Sequence, residues 1–248
     1  MLKLKLSPLE LERYNRQISI PNLGVKGQLK LKRAKVAVVG IGGLGCLSSL
    51  YLAAAGVGNL ILIDKGKFKL KNLNRQVLCW QKDIGKPKVE VAKEKLESFN
   101  PKIKIEALNA EIREENVQEI IGKVDVVVDG LDNWKTRFII NKYCVASDIP
   151  FIHGGVSELH GQITTVMPKK GPCLRCIFPK NPQEIKDIPV LGATSAFIAS
   201  LQVIEVIKLI TRIGEPLSGR MLFIDGKEMA IEIARIERDV NCPVCGET

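Results

Sequence analysis

An apolar run, Lys35-Val-Ala-Val-Val, breaks at Gly40-Ile-Gly42-Gly43-Leu-Gly45, and small and apolar residues follow to position 55. A short apolar run of this kind reads as a buried parallel strand, and the stretch after it as a helix lying on a sheet. The glycines fit G-x-G-x-x-G. They permit a tight strand-to-helix turn and let backbone N–H groups approach a phosphate at the helix start. Asn59-Leu-Ile-Leu-Ile-Asp64 reads as the second strand; Asp64 lies 19 residues beyond Gly45, where a carboxylate can accept hydrogen bonds from a ribose. Further strands are predicted at 102–108 and 124–129, and helices at about 87–99, 111–121 and 134–147. This alternation predicts a parallel sheet with right-handed crossovers.

The flanks differ in character. Residues up to 33 read as helical, opened by a Ser7 cap, Pro8 and Glu10 and broken at Pro21-Asn22-Leu23-Gly24, with a second helix from Val25. Beyond 150, strands are predicted at 151–156 and 162–166, then a Pro-rich stretch over 177–189. The longest apolar helix is expected at 193–211, with Glu205 and Lys208 facing outward. A hairpin over 220–225 and 228–234 turns at Asp225-Gly226-Lys227. The expected organisation is one continuous domain in three parts: a helical arm (1–34), a Rossmann-like nucleotide-binding half (35–150) and a second half (151–248). The fold class is α/β, a mainly parallel sheet flanked by helices and continuing into antiparallel strands.

The loop after Asp64 argues against a nicotinamide dinucleotide. Asn72-Leu-Asn74-Arg75-Gln76 and Lys86-Pro87-Lys88 put Asn, Arg and Lys just beyond the ribose carboxylate, where they can grip a triphosphate such as ATP. Asp132 follows the strand ending at Asp129, at the carboxyl end of the sheet, and a carboxylate there can hold Mg²⁺ bridging phosphates. The alternative for Asp132 is the N-cap of the next helix.

Seven cysteines include two CxxC pairs, Cys173/Cys176 and Cys242/Cys245. Two close pairs on distant segments are the pattern of a tetrahedral zinc held by four cysteines, a structural site with no position left for water. Cys46 and Cys144 fall in predicted helices as small core residues. Cys79 is buried and inert on the better reading, reactive on the other. His153 and His160 have no metal spacing and read as structural.

The net charge of +10, from 37 basic and 27 acidic residues, raises nucleic acid as a partner. The lysines are scattered, however, and aromatics make up only 5%, too few for stacking platforms. A lysine-rich solvated surface is the favoured reading, with nucleic acid not expected. No secretory signal is read at the start, and no apolar run reaches the roughly 18 residues that span a bilayer. A cytoplasmic protein without a membrane partner is expected.

Taken together, Arg13-Tyr-Asn-Arg16-Gln17-Ile18, Gly40-Ile-Gly-Gly-Leu-Gly-Cys46, Asn72-Leu-Asn-Arg-Gln76, Gly85-Lys-Pro-Lys88, Leu131-Asp132-Asn133 and the paired CxxC motifs resemble the ubiquitin-activating-type adenylyltransferases. The resemblance is strongest to members that activate sulfur carrier proteins for molybdopterin and thiamine synthesis, and it runs from Arg13 to Cys245. It implies a homodimer that binds MgATP and the Gly-Gly tail of a small ubiquitin-like carrier, forming an acyl-adenylate and pyrophosphate. A separate sulfur donor would act afterwards. By the same resemblance Asp64 holds the ribose, and Gly40, Gly42, Gly43 and Gly45 the adenosine side. Asn72, Arg75 and Lys88 contact phosphates, Asp132 holds Mg²⁺, and Asn133 belongs to the nucleotide site. Arg16 reaches into the neighbouring subunit's site.

Two departures stand out. No cysteine occurs between 177 and 200, where many members carry a catalytic one, so the chemistry is expected to stop at the adenylate. Gly66 stands where the family often has a second Asp, and Lys71 before Asn72 is also unusual. The rival readings are a tRNA threonylcarbamoyladenosine dehydratase-like enzyme, an NAD-dependent oxidoreductase and a non-catalytic nucleotide-binding scaffold.

Overall fold

The computed structural model describes residues 5–185 and 187–246, so the first four residues of the lysine-bearing start lie outside it. Three short helices lead in: α1 (Pro8–Arg13), α2 (Asn15–Ile18) and α3 (Gly24–Arg33). The Ser7 hydroxyl accepts from the Glu10 N–H while the Glu10 carboxylate accepts from the Ser7 N–H, so each satisfies a backbone donor of the helix start. The first half then runs β1 (Lys35–Val39), α4 (Gly43–Ala55), β2 (Asn59–Ile63), α5 (Lys88–Phe99), β3 (Lys104–Leu108), α6 (Val117–Ile121), β4 (Val126–Asp129) and α7 (Trp134–Ala146). The second half adds β5 (Phe151–Ser157), β6 (His160–Val166), α8 (Leu174–Ile177), α9 (Gly192–Thr211), β7 (Arg220–Asp225) and β8 (Ala230–Arg235).

All eight strands form one sheet, ordered β3-β2-β1-β4-β5-β6-β7-β8. Pairings from β3 to β5 are parallel; those from β5 to β8 are antiparallel. β1 is apolar at every buried position because both of its faces are covered. Val36 and Val38 pack under α4, α5 and α9, whereas Ala37 and Val39 pack on the side of α6 and α7. β8 is the opposite case, an edge strand exposed along its whole length, with Ile231 and Ile233 more than half exposed.

The loops that follow β1 and β4 meet above the boundary between the two strands. A Cβ on Gly130 would stand 2.1 Å from the Gly40 carbonyl oxygen, and one on Gly45 only 1.8 Å from it. Gly40 itself sits at φ 89°, which L side chains rarely adopt. These three positions therefore require glycine, and their contact sets the crevice above the β1/β4 boundary.

Four expectations are corrected. Helix does not extend over 111–121. The Asn116 side chain instead accepts from the Arg113 N–H and donates to the Glu111 carbonyl, fixing a turn, and α6 starts at Val117. The third and fourth strands begin two residues later than expected, at Lys104 and Val126. Glu205 does not face outward: it is 2% exposed and accepts from the Thr165 hydroxyl (2.6 Å) and the Leu217 N–H (2.7 Å), while Lys208, half-buried, pairs with its other oxygen. Finally, Gly192–Thr211 is long and apolar enough to cross a membrane by length and composition. It is here a core helix, packed on α3, α4, β5 and β6.

Replacing Gly45 by Ala should overpack the Gly40–Gly130 contact and destabilise the chain by about 3 kcal/mol. Urea unfolding of the variant measures this; a midpoint unchanged from wild type would refute the overpacking.

Candidate active site

The crevice above the β1/β4 boundary opens into a single cleft of about 1870 Å³. Open α/β sheets bind ligands at this switch point because the diverging loops leave room at the carboxyl ends of the strands. Gly40, Gly42 and Gly43 line the cleft; Gly45 does not, its role being the close packing on Gly40. Val39, Ile63, Ala110, Ile112 and Leu131 give it an apolar inner wall suited to a flat heterocycle.

Asp64 ends β2 beside the glycine turn. Its carboxylate accepts from the Ile41 N–H at 2.7 Å and the Gly66 N–H at 2.6 Å, and the Lys88 ammonium lies 3.7 Å away. It is thus rigidly held, with Lys88 drawn in from the start of α5. A Cβ on Gly66 would stand 2.9 Å from Asp64 Oδ1 and 3.5 Å from Lys88 Cε, so a side chain there would enter this group. Arg75 is positioned by its own loop: its guanidinium donates to Asn74 Oδ1 (2.9 Å) and the Lys71 carbonyl (3.2 Å), and its Cδ lies against Gly43.

Asp132 is exposed on the cleft wall and, among the described residues, has no hydrogen-bond or ion-pair partner. The N-cap of α7 is Asn133, whose Oδ1 accepts from the Thr136 N–H, so the Asp132 carboxylate is not spent on capping. The structure thus brings Gly40, Gly42, Gly43, Asp64, Arg75, Lys88, Asp132 and Asn133 to one cleft. It places three residues elsewhere: Gly45, packed on Gly40, and two others. Asn72 is buried beneath the loop, its Oδ1 accepting from the Lys69 N–H, and Arg16 is exposed on α2, off the cleft.

Sequence patterns missed the group that supports the cleft floor. Asp129, fully buried, accepts from His153 Nδ1 (2.7 Å), Arg137 Nε (2.9 Å) and the Leu131 N–H (2.9 Å). Arg137 also donates to the Leu131 and Gly154 carbonyls, and Gln202 Nε2 donates to the Asp129 carbonyl. Burial alone would raise the Asp129 carboxyl, but Arg137 and His153 outweigh it and hold it below its ordinary range. Burial lowers His153, so it stays a neutral imidazole donating through Nδ1. The Asp129 backbone ends at the crevice, so this ion pair fixes the loop that carries Asp132.

The four CxxC sulfurs converge. All lie within 4.8 Å of one another, Cys173 Sγ 3.7 Å from Cys242 Sγ and Cys176 Sγ 3.4 Å from Cys245 Sγ. Disulfides would need about 2.05 Å, whereas four thiolates at about 2.3 Å from a tetrahedral zinc stand roughly 3.8 Å apart. The donor set and spacing fit zinc. Burial raises the Cys173 and Cys176 thiols, the latter to about 11, whereas at Cys242 the N–H groups of Cys245 and Val244 outweigh burial and hold the thiol below its ordinary value. The other three cysteines are buried. Burial pushes Cys46 up to about 12, and burial with neighbouring Asp83 raises Cys79, so neither is primed as a nucleophile.

Residues 14–244 match the model of the ThiF family. A sulfur carrier protein adenylyltransferase of Thermus thermophilus is 38% identical over 248 residues, covering 96% of this chain and 92% of the relative. Protein HesA, heterocyst, of Trichormus variabilis is 42% identical over 244 residues, covering 98% and 91%. The crystal structure of E. coli MccB with ATP superposes with a TM-score of 0.83 at 29% identity, over 94% of this chain and 74% of that one.

Two outcomes are expected. Purified protein should carry one zinc per chain, and Cys242→Ser should cost about 3 kcal/mol or more, lowering the midpoint by roughly 6–12 °C; metal analysis and thermal unfolding test both. Stability should also fall below pH 6.5. There the unfolded state protonates His153 while the depressed folded group does not, and at lower pH the depressed Asp129 carboxyl acts in the same direction. His153→Gln, which keeps a donor but does not titrate, should flatten the fall between pH 6.5 and the carboxylate range by up to about 1.4 kcal/mol per pH unit.

Proposed function

The chain belongs to the ThiF family, and from that premise we propose that it is an ATP-dependent adenylyltransferase acting on the C-terminal glycine of a small ubiquitin-like sulfur carrier protein. The observation that carries the reading is the cleft itself. The glycine turn, the ribose-placed Asp64, two cations and the unengaged Asp132 share one cavity, and its far wall is the antiparallel half of the sheet, at Gly155, Gln162 and Phe223. A nucleotide at one end and a protein tail at the other would meet in the middle.

The reaction brings two anions together. A carboxylate oxygen of the tail attacks the α-phosphorus of ATP; the bond from that phosphorus to the bridging oxygen breaks; pyrophosphate leaves with the electron pair. The barrier is mostly repulsion and alignment, so positioning and positive charge supply most of the catalysis. Arg75 and Lys88 provide that charge, and Asp64 aligns the ribose. Asp132 would hold Mg²⁺, which neutralises charge on the phosphates. With no cysteine over 177–200 and Cys79 buried, the adenylate is the end of this chain's chemistry, and sulfur comes from a separate donor. Zinc at the four cysteines would be structural, clipping the residues around Cys242 and Cys245 to α8.

The working unit in this reading is a homodimer in the cytoplasm. Arg16, exposed and off its own cleft, would complete the neighbour's site, acting on transition-state charge in trans. Exposed Tyr51 on α4 and exposed Phe197 and Ile204 on α9 are apolar surface that a second copy would cover.

ATP–pyrophosphate exchange tests the proposal. Exchange should require a carrier with its Gly-Gly end intact and should drop at least 100-fold in Asp132→Ala and Arg16→Ala. Mixing the two inactive variants should restore about a quarter of wild-type sites if Arg16 acts in trans. Exchange independent of the carrier's tail would overturn the assignment.

A further inference from the structure

α9 begins at the middle of the cleft. Val190 and Leu191 carry the chain across the β5–β6 turn, where Leu191 N–H donates to the Glu158 carbonyl and Thr194 Oγ1 donates to the same oxygen. The helix then starts at Gly192 against the nucleotide loop: a Cβ there would stand 2.5 Å from the Asn74 carbonyl oxygen and 3.4 Å from Arg75 Cα. The N–H groups of Gly192 and Ala193 have no acceptor among the described residues. A helix of 20 residues thus aims its positive end at the space beside Arg75.

In the first turn of this helix stands Ser195, 1% exposed, whose hydroxyl has no hydrogen-bond partner among the described residues. It lines the cleft and faces the glycine turn, 3.0 Å from where a Cβ on Gly43 would be, with Arg75 Cδ on the same spot at 3.3 Å. A buried hydroxyl left unpaired costs stability, so its natural partner is a group that arrives with a ligand.

We propose that the N-terminus of α9 and the Ser195 hydroxyl form a second oxyanion seat, opposite the glycine turn, that takes the terminal carboxylate of the incoming tail. The inference rests on the adenylation reading and names the group that receives the nucleophile. Gly155 and Val156 of β5 and Gly161 and Gln162 of β6 line the same cleft as Pro189, Val190 and Ser195, so a tail laid along these strands shares the cavity that the start of α9 faces. The phosphates already have α4's N-terminus, Arg75 and Lys88. A nucleotide phosphate is the other source of an oxyanion here, and the test separates the two.

The full chain, loaded with a non-hydrolysable ATP analogue, is titrated with a hexapeptide ending in Gly-Gly as the free acid and as the C-terminal amide. Wild type should prefer the acid by on the order of tenfold. Ser195→Ala should remove most of that preference without weakening the analogue and without lowering the unfolding midpoint, since it deletes an unpaired group. A preference that survives in Ser195→Ala, or wild type binding acid and amide alike, overturns the proposal. A loss of analogue affinity with the preference intact assigns the seat to phosphate and overturns it too. Absence of ATP–pyrophosphate exchange alongside an intact acid preference counts against adenylation and leaves the seat standing.

Discussion

The contact between Gly40, Gly45 and Gly130 is the constraint from which the rest of the molecule can be followed. Two loops leave adjacent parallel strands and touch through bare backbone, because a methyl group at any of the three positions would have to occupy space already filled by the backbone. That closeness brings the start of α4 and the start of the Asp132 loop to opposite lips of one crevice. It also leaves no room for a flexible hinge: the lips are fixed relative to each other by the sheet, not by side chains that could repack.

The polar chemistry beneath the crevice follows from the same geometry. Where β4 ends against β1, a carboxylate is fully enclosed, and it is tolerated only because Arg137 and His153 meet it with correctly directed donors. The ion pair in turn ties α7 to β4 and β5, and Trp134 lies over both Arg137 and His153. Rigid support below and charge lining the cleft above, with Asp132 unpartnered among the described residues and Arg75 and Lys88 held by their own neighbours, is the division expected where reacting groups must be held to within fractions of an ångström.

Much of the fold was legible in the sequence because its signals are local. The apolar runs at β1, β2 and β4, the glycine turn and the cap at Ser7 each speak for themselves, and the two CxxC pairs announce a meeting place without revealing what lies between them. Where sequence reasoning fell short, the reason is shared. Glu205 looked like a surface charge at helical spacing, yet its partners Thr165 and Leu217 come from β6 and the loop before β7. Asp129 and Arg137 carried no local signal, and His153, read as structural and found so, gave no hint of its partner, since their pairing depends on β5 lying beside β4. Asn72 was grouped with the phosphate-gripping residues, and in the fold its Oδ1 accepts from the Lys69 N–H within the turn that leads to Arg75. In each case a polar side chain is committed to a partner remote in sequence or to its own backbone, and residue type alone does not record that commitment. The segment 111–116 adds a fourth case: helix-forming acids lost to a single asparagine that bonds both ways across the turn.

The convergence of the four sulfurs has a consequence for how the chain is made. On a ribosome, Cys173 and Cys176 emerge while Cys242 and Cys245 are still to be synthesised, with 65 residues between the inner pair. During that interval two thiols sit just past β6, with the parallel strands complete and their partners missing, open to stray metal or to oxidation. A metal held by all four sulfurs would fasten the antiparallel half last. A nascent chain cut short before position 242 would already hold every residue that lines the cleft but only two of the four sulfurs.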